Sequence, residues 1–170
     1  MLVSTQSTKP LLDKPFPCSE SGYATCTLTG DGVFGTFILK EKRGFIRLNI
    51  ESDGIWGLTE GLHGFHIHEF GDVSDNCAYT GGHWNPQDND HGEFTELSWN
   101  RHIGDIKMID AAASGATSYY YTDHVSSLYG MYSVVGRSLV IHAGEDDFGQ
   151  PFGNAGDKVA CCTIAWATRR

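Results

Sequence analysis

Long apolar runs and cationic residues are both scarce in this sequence. No stretch approaches the roughly 20 apolar residues that a helix needs to span a bilayer. The 12 lysines and arginines are outnumbered by 21 acidic residues, which leaves a formal net charge of −9. A chain with this charge repels nucleic acid and anionic membrane surfaces, so we expect neither as a partner.

The first residues also lack the pattern of a secretory signal. Residues 1–17 contain no charged start followed by an apolar core. We therefore expect a cytoplasmic protein, or an extracellular one if a signal has been removed. The polar segment 1–21, with its prolines, is interpreted as an N-terminal extension that is mobile as far as Pro15. Residues 22–170 form one domain, long enough to bury a substantial core.

The distribution of turns predicts an all-β fold. The chain has 21 glycines and few long helical patterns, while short alternating runs are bounded by turn residues. The predicted strands are 23–29, 34–40, 45–50, the run that carries His66 and His68, 103–109, 116–121, 137–141 and 159–167. Eight such strands indicate a flattened eight-stranded Greek-key barrel, or an immunoglobulin-like sandwich.

Potential metal ligands are concentrated after the third predicted strand. His66 and His68 lie two residues apart in a strand-like run, so both imidazoles project from one face. His83 and His91 follow in segment 70–101, which is rich in Gly, Asn, Pro and Asp and is predicted to be a long, functional loop. Three more candidates lie downstream: His102, Asp105 and His142. Seven potential ligands indicate more than one metal ion.

The order and spacing of these motifs resemble a known family. Gly-Phe-His66-Ile-His68-Glu-Phe-Gly-Asp, His83-Trp-Asn-Pro, His102-Ile-Gly-Asp105, Gly-Arg-Ser-Leu-Val-Ile-His142 and Gly-Asn-Ala-Gly resemble copper–zinc superoxide dismutase from about residue 23 to residue 167. The resemblance implies superoxide as substrate, copper and zinc as cofactors, and disproportionation to oxygen and hydrogen peroxide. It also implies the family's Greek-key fold, with long metal-binding loops.

The resemblance assigns the ligands to two sets that share one histidine. The implied copper ligands are His66, His68, His83 and His142. Four imidazoles suit Cu(II), and three suit Cu(I). The implied zinc ligands are His83, His91, His102 and Asp105, a typical closed set for zinc. In this assignment His83 bridges the metals and takes part in proton transfer. Asp146 matches the aspartate that bonds the far nitrogens of His66 and His91.

Two histidines fall outside these sets. His63 is more typical of a structural hydrogen bonder beneath the site than of a ligand. His124, in Tyr-Thr-Asp-His-Val, is expected to be exposed to solvent.

The five cysteines are an odd number, so at least one is free or pairs between chains. The resemblance implies a disulfide between Cys77 and Cys161 that pins the long loop to the last strand. Cys26 matches a position that is usually a buried thiol. Cys18 and Cys162 have no counterpart, which leaves three alternatives: Cys18–Cys162, Cys26–Cys162 or free thiols.

Three departures from the family pattern bear on function. Lys158 stands where the family has an arginine that orients superoxide, and it keeps the charge but loses the rigid fork. Segment 148–153 is shorter than usual and has no charged residue, so we expect a more open copper site with weaker steering. The usual dimer interface is altered, with Thr25, Thr27, Thr163 and Trp166 at positions that are normally small and apolar. A homodimer remains compatible with the sequence.

Two rival functions belong to other classes. A non-enzymatic copper-delivery domain would need a metal-transfer motif such as Cys-X-X-Cys, and the sequence has none. A structural protein that keeps the fold without turnover is favoured only by Lys158 and the short loop. We expect the enzyme, with a copper chaperone as a candidate partner.

Overall fold

The computed structural model describes residues 21–42 and 47–168. The predicted N-terminal extension therefore lies outside the described residues, except for Ser21, which begins the first strand. Cys18, the start of the predicted strand 45–50 and most of the turn that precedes it are also outside the described residues.

Short strands dominate the described residues. Their bounds are β1 Ser21–Thr27, β2 Thr29–Gly30, β3 Phe34–Lys42, β4 Leu48–Trp56, β5 Gly61–His63, β6 Phe65–His68, β7 Ile109–Ala111, β8 Ala116–Asp123, β9 Ser138–His142, β10 Lys158–Thr163 and β11 Ala165–Trp166. Short helical turns occupy Ser74–Cys77, Ala78–Thr80 and Gly130–Tyr132. Within the described part of the chain, no helix has the length and apolar character needed to cross a membrane.

The strands form two larger antiparallel sheets and one small pair. The first sheet has the order β11-β1-β3-β4-β8, the second has the order β2-β10-β9-β6, and β5 pairs with β7. Aromatic and β-branched residues favour these strands, as in the Ala-Thr-Ser-Tyr-Tyr-Tyr-Thr-Asp sequence of β8. The predicted all-β sandwich-like fold is confirmed.

The core lies between the two larger sheets. Phe37 on β3 stacks on Phe65 on β6 with ring centroids 4.9 Å apart, and Tyr119 on β8 packs edge-on against both rings. Burying an aromatic or aliphatic side chain of this size contributes about 1.5–3 kcal/mol. Further side chains with no exposed surface complete the cluster: Leu39, Leu48, Ile50, Ile67, Leu139 and Ile141.

Three strand predictions need correction. The predicted strand 23–29 is divided at Leu28, after which β2 pairs with β10 of the other sheet. Only Ile109 of the predicted strand 103–109 lies in a strand, because the backbone before it forms a tight turn. The carboxylate of Asp105 accepts from the backbone N–H of His102 at 2.9 Å, and this bond takes the place of a strand ladder. The predicted strand 159–167 is divided at Ile164, after which β11 pairs with β1 of the other sheet.

Strand register brings the candidate ligands to one end of the second sheet. His66 and His68 on β6 pair with Val140 and Ser138 on β9, the strand that ends at His142. Isolated bridges join His66 to Asp105 and His68 to His83, so two loop residues are tied directly to β6. The sheet therefore fixes the positions of side chains that are far apart in sequence.

Candidate metal centre

In one group of four buried histidines, each ring has a nitrogen close to the nitrogens of the other three. Ligand nitrogens of His66, His68, His83 and His142 all lie within 4.8 Å of one another, and all four side chains are buried. Nδ1 of His68 donates to the carbonyl oxygen of Gly81 at 3.0 Å, and Nδ1 of His142 donates to that of Gly156 at 2.9 Å. Both rings then present an unprotonated Nε2.

The two Nε2 atoms of His68 and His142 are 3.3 Å apart. Two lone pairs at this distance cannot form a hydrogen bond, whereas a cation close to both would be favoured. Nε2 of His66 donates to Asp146, which leaves Nδ1 as the unprotonated nitrogen of this ring. This Nδ1 is buried and has no hydrogen-bond partner. These nitrogen donors fit a copper ion.

A second group converges on the carboxylate of Asp105. Nδ1 of His83 lies 2.9 Å and Nδ1 of His102 lies 3.2 Å from one oxygen, while Nδ1 of His91 lies 3.0 Å from the other. Three imidazoles and one carboxylate fit a zinc ion. A tighter group within 4.8 Å contains His66 in place of His102. His102 is outside that tighter group, but its Nδ1 lies 3.2 Å from the carboxylate of Asp105.

His83 belongs to both groups. Its Nδ1 faces Asp105, which leaves Nε2 as the nitrogen available to the other three histidines. Its ring stacks on that of His66 with centroids 3.8 Å apart. The structure thus places His83 between the two groups predicted from the sequence.

Asp146 connects the two groups through the far nitrogens of two histidines, one from each group. Nε2 of His66 donates to it at 2.7 Å, and Nε2 of His91 lies 3.1 Å from each of its carboxylate oxygens. These bonds fix which nitrogen of each ring faces the centre of its group. The side chain is closely enclosed, since a Cβ atom at Gly153 would lie 2.0 Å from Oδ1 of Asp146.

Burial keeps most of these histidines neutral. It lowers the pKa of His66 to about 3, with a further contribution from His83. It also lowers the pKa values of His68, His83 and His142. Neutral imidazole is the form that binds a metal, so these rings need not lose a proton at neutral pH.

His91 has the opposite electrostatic environment. Burial alone would lower its pKa, but hydrogen bonds to Asp105 and Asp146 outweigh burial and raise the pKa to about 9. Hydrogen bonds with His102, His83 and His91 lower the pKa of Asp105, and those with His66 and His91 lower the pKa of Asp146, against the opposing effect of burial. A positive charge on the His91 ring is therefore favoured, and a zinc ion at Nδ1 would take the place of the proton on that atom.

Lys158 lies beside the four-histidine group. Its Nζ donates to Oγ1 of Thr80 at 2.8 Å and to the carbonyl oxygen of Gly81 at 3.1 Å, with the carbonyl oxygen of Cys77 at 3.4 Å. Its charge is one cause of the lowered pKa of His142. Lys158, His68, His83 and His142 line the same cavity of about 340 Å³.

The short segment 148–153 carries contacts that the sequence did not reveal. The ring of Phe148 stacks near His91 at 6.3 Å, and the ring of Phe152 lies 5.8 Å from that of His83. The side-chain amide of Gln150 accepts from the backbone N–H of His91 at 3.0 Å and donates to its carbonyl oxygen at 2.7 Å. No sequence pattern distinguishes these residues from those of an ordinary turn-rich loop.

Two disulfides fix strand β10. Cys77–Cys161 joins the long loop to β10 and is the pair that the resemblance implies. Cys26–Cys162 joins β1 to β10 across the sandwich. Of the alternatives left open for Cys162, pairing with Cys26 is therefore the one found, and the free-thiol alternative is wrong for both residues.

The two remaining histidines lie apart from both groups. The nitrogens of His63 are 2.8 Å from the carbonyl oxygen of His142 and 2.9 Å from that of Thr59, so His63 supports the end of β9. His124 is exposed. Both arrangements agree with the sequence-based interpretation.

Comparison with known proteins identifies the family. A family model described as copper/zinc superoxide dismutase matches residues 33–164. The extracellular copper–zinc superoxide dismutase of Caenorhabditis elegans is 41% identical over 145 residues, which cover 81% of this chain and 63% of that protein. Copper–zinc superoxide dismutase 5 of Dictyostelium discoideum is 39% identical over 149 residues, covering 84% of this chain and 96% of that protein.

A third relative leads to the same assignment. The copper–zinc superoxide dismutase of Onchocerca volvulus is 38% identical over 152 residues, covering 84% of this chain and 94% of that protein. Copper and zinc are the metals of this family, and the nitrogen and carboxylate donors described above fit both. The chain belongs to the copper/zinc superoxide dismutase family of oxidoreductases.

Proposed function

We propose that this protein disproportionates superoxide at a copper site that a bridged zinc site supports. Copper would be held by His66, His68, His83 and His142, and zinc by His83, His91, His102 and Asp105. The observation that carries the proposal is the position of His83, which belongs to both ligand groups and whose Nδ1 faces Asp105 at 2.9 Å. One imidazole can therefore contact both metals.

Bound copper supplies the one-electron redox change, and the chain's residues supply positioning and a proton. Two superoxide anions and two protons give one oxygen and one hydrogen peroxide. Nε2 of His83 is the atom that holds one of the protons, because Nδ1 is directed at Asp105. Asp146 keeps the rings of His66 and His91 in the required orientation through their far nitrogens.

Lys158 is proposed to attract the substrate. The ammonium group has three N–H donors, and three oxygen atoms lie within 3.4 Å of it. It therefore acts on superoxide as a fixed positive charge more than as a hydrogen-bond donor. A local cation is needed because the chain as a whole carries a net charge of −9.

The experiment that tests this function uses purified protein reconstituted with both metals. Elemental analysis should give one copper and one zinc per chain, and superoxide loss should yield one peroxide for every two anions. A protein that binds copper at this stoichiometry but consumes superoxide no faster than free buffer would contradict the proposal. That result would favour a structural role instead.

Two partners follow from the same proposal. A copper chaperone is proposed as the metal donor, since the candidate copper ligands are buried. A homodimer is proposed with an altered face, where Trp166 on β11 is 53% exposed and Thr163 donates a hydrogen bond to Gly71. Sedimentation of the parent and of Trp166→Ser tests the dimer, which the substitution should weaken.

The cellular location also stays a proposal. The sequence predicts a cytoplasmic location, but the C. elegans relative is named extracellular and the described residues include two disulfides. Disulfides are more common in oxidising compartments. We propose the extracellular alternative, which fractionation of tagged protein expressed in its native cells would test.

A further inference from the structure

The cavity beside the four-histidine group has an unusual wall. Four glycines and Ala155 line it together with His68, His83, His142, Phe152 and Lys158. Within this lining, Lys158 carries the permanent charge and Phe152 is the one large apolar side chain. Segment 148–153, which contributes Phe152, contains no charged residue.

Phe152 is half exposed and yet lies against the metal ligands. Its side chain is 52% exposed, and its ring centroid is 5.8 Å from that of His83 and 6.1 Å from that of His102. A Cβ atom at Gly82 would lie 3.7 Å from the ring, so the opposite loop also approaches it. The ring therefore forms the wall of the cavity next to His83.

The backbone on both sides of Phe152 is fixed. Gln150 makes two hydrogen bonds with the backbone of His91, and the side chain of Asp147 accepts from the backbone N–H groups of Gly149 and Asn154. Gly153 follows with φ of 71° and packs against Asp146 too closely for any side chain. These contacts preorganise the aromatic wall, so it is not a freely moving loop tip.

We propose that Phe152 is a specificity-determining residue that limits access to the copper site by ligand size. The inference rests on the proposed function. A small anion such as superoxide is attracted by Lys158 and passes beside the ring. A larger anion must displace the ring or lose its hydration against an apolar surface, both of which are unfavourable.

The test compares ligands of different size on the copper- and zinc-loaded protein. The small ligand is azide, whose affinity is measured from the visible spectrum. The large ligand is EDTA, whose rate of copper removal is measured by loss of the copper absorption. Phe152→Ala should increase the rate of copper removal by roughly tenfold. It should change the azide dissociation constant by less than about twofold, and Phe152→Leu should stay close to the parent in both measurements.

Two matched variants separate the wall from loosening of the loop. Phe34→Ala removes an exposed aromatic ring on β3 and should leave both measurements unchanged. Phe148→Ala removes the other ring of the same segment, on the His91 side. It should accelerate copper removal much less than Phe152→Ala does.

Three outcomes would overturn the inference. The first is a rate of copper removal in Phe152→Ala within about twofold of the parent rate. The second is an acceleration of copper removal in Phe148→Ala equal to that in Phe152→Ala. The third is that Phe152→Ala changes azide affinity and the rate of copper removal by EDTA by equal factors. If the parent retains copper and consumes superoxide while any of these holds, only the inference fails. If the parent retains no copper or consumes no superoxide, the proposed function fails and the inference fails with it.

Discussion

Lys158 and His142 lie directly opposite each other as partners in the antiparallel pair of β10 and β9. A register irregularity follows immediately, between Lys158 and Ala160. Bulges of this kind re-aim side chains at the ends of strands. Here the irregularity lies where a cation and a candidate copper ligand line the same cavity. The sheet therefore positions the backbone of Lys158, and the long loop holds its ammonium group through Thr80 and Gly81.

The first prediction concerns the charge of Lys158. Lys158→Ala should lower the second-order rate of superoxide decay by about tenfold, within the range of electrostatic steering. Lys158→Glu should lower it further because it adds repulsion to the loss of attraction. Lys158→Arg should match or exceed the parent, since a guanidinium can hold both the carbonyl oxygens and the anion.

Stopped-flow decay at two ionic strengths, with matched copper content, checks this order. Added salt should slow the parent and the arginine variant and should have less effect on the alanine variant. If alanine, glutamate and arginine all give the parent rate, Lys158 does not act on the substrate and the steering argument fails.

The second prediction concerns Asp146. Asp146→Asn should weaken zinc binding by about 10- to 100-fold, the usual effect of losing a partner of a ligand histidine. The amide can accept only at one atom, whereas the carboxylate bonds both His66 and His91. Competition with a chromophoric chelator measures the zinc affinity. Glu145→Gln changes the exposed residue immediately before Asp146, and it is the control that should keep the parent affinity. Equal affinities in parent and Asp146→Asn would remove Asp146 from its proposed role.

The third prediction separates the two disulfides. Each closes a long loop, so the loss of either should lower the free energy of unfolding by about 4 kcal/mol in the chain-entropy model. Cys77→Ser should also weaken copper retention, because the loop that starts there carries Thr80, Gly81 and His83. Cys26→Ser should lower stability alone, because Cys26–Cys162 joins strands away from the ligands. Thermal unfolding combined with metal analysis tests the difference, and equal copper loss in both variants would contradict it.

The fourth prediction concerns the pH dependence of the metal-free protein. Burial depresses the pKa of His66 from 6.5 to about 3, and the pKa values of His68, His83 and His142 are also lowered. The unfolded chain therefore binds protons below pH 6.5 that the folded chain does not. Stability from these residues is present above that pH and is lost as the pH falls, by about 1.4 kcal/mol per pH unit for each proton.

His91 gives the opposite trend on the alkaline side. Its folded pKa is raised to about 9, so its contribution is complete below pH 6.5 and is lost as the pH rises towards 9. Urea unfolding from pH 5 to pH 9 should show a maximum near neutrality, and His91→Gln should reduce the alkaline decline. Stability that increases from pH 6.5 to pH 5 would contradict the assignment of buried neutral histidines.

The sequence predicts the all-β fold because alternation and glycine-rich turns are local patterns. The clustering of the candidate ligands is also predictable, because the resemblance gives their order and the register of β6 and β9 brings several of them together. The prediction of a strand over residues 103–109 is wrong. Ile103 and Ile106 are buried, as they would be in a strand, but the backbone at neither residue forms one. Periodicity reports burial and cannot show that Asp105 closes a turn.

The contacts of segment 148–153 could not be predicted from its composition. The absence of charge in segment 148–153 is visible in the sequence, and it led us to expect an open site. The ring of Phe152 against His83 and the two bonds from Gln150 to His91 are long-range contacts. The pairing of Cys26 with Cys162 is likewise long-range. Such contacts depend on the assembled sheets and leave no local pattern.

The most direct test of the account is to titrate copper into zinc-loaded protein while following the rate of superoxide decay. For the parent, the rate should rise in proportion to copper and stop rising at one equivalent. For His68→Ala, the rate should stay near that of the copper-free protein while zinc content is unchanged, because His68 bonds Gly81 and faces His142, away from Asp105. A parent rate that does not respond to copper, or a His68→Ala variant that responds equally, would contradict the proposed copper site.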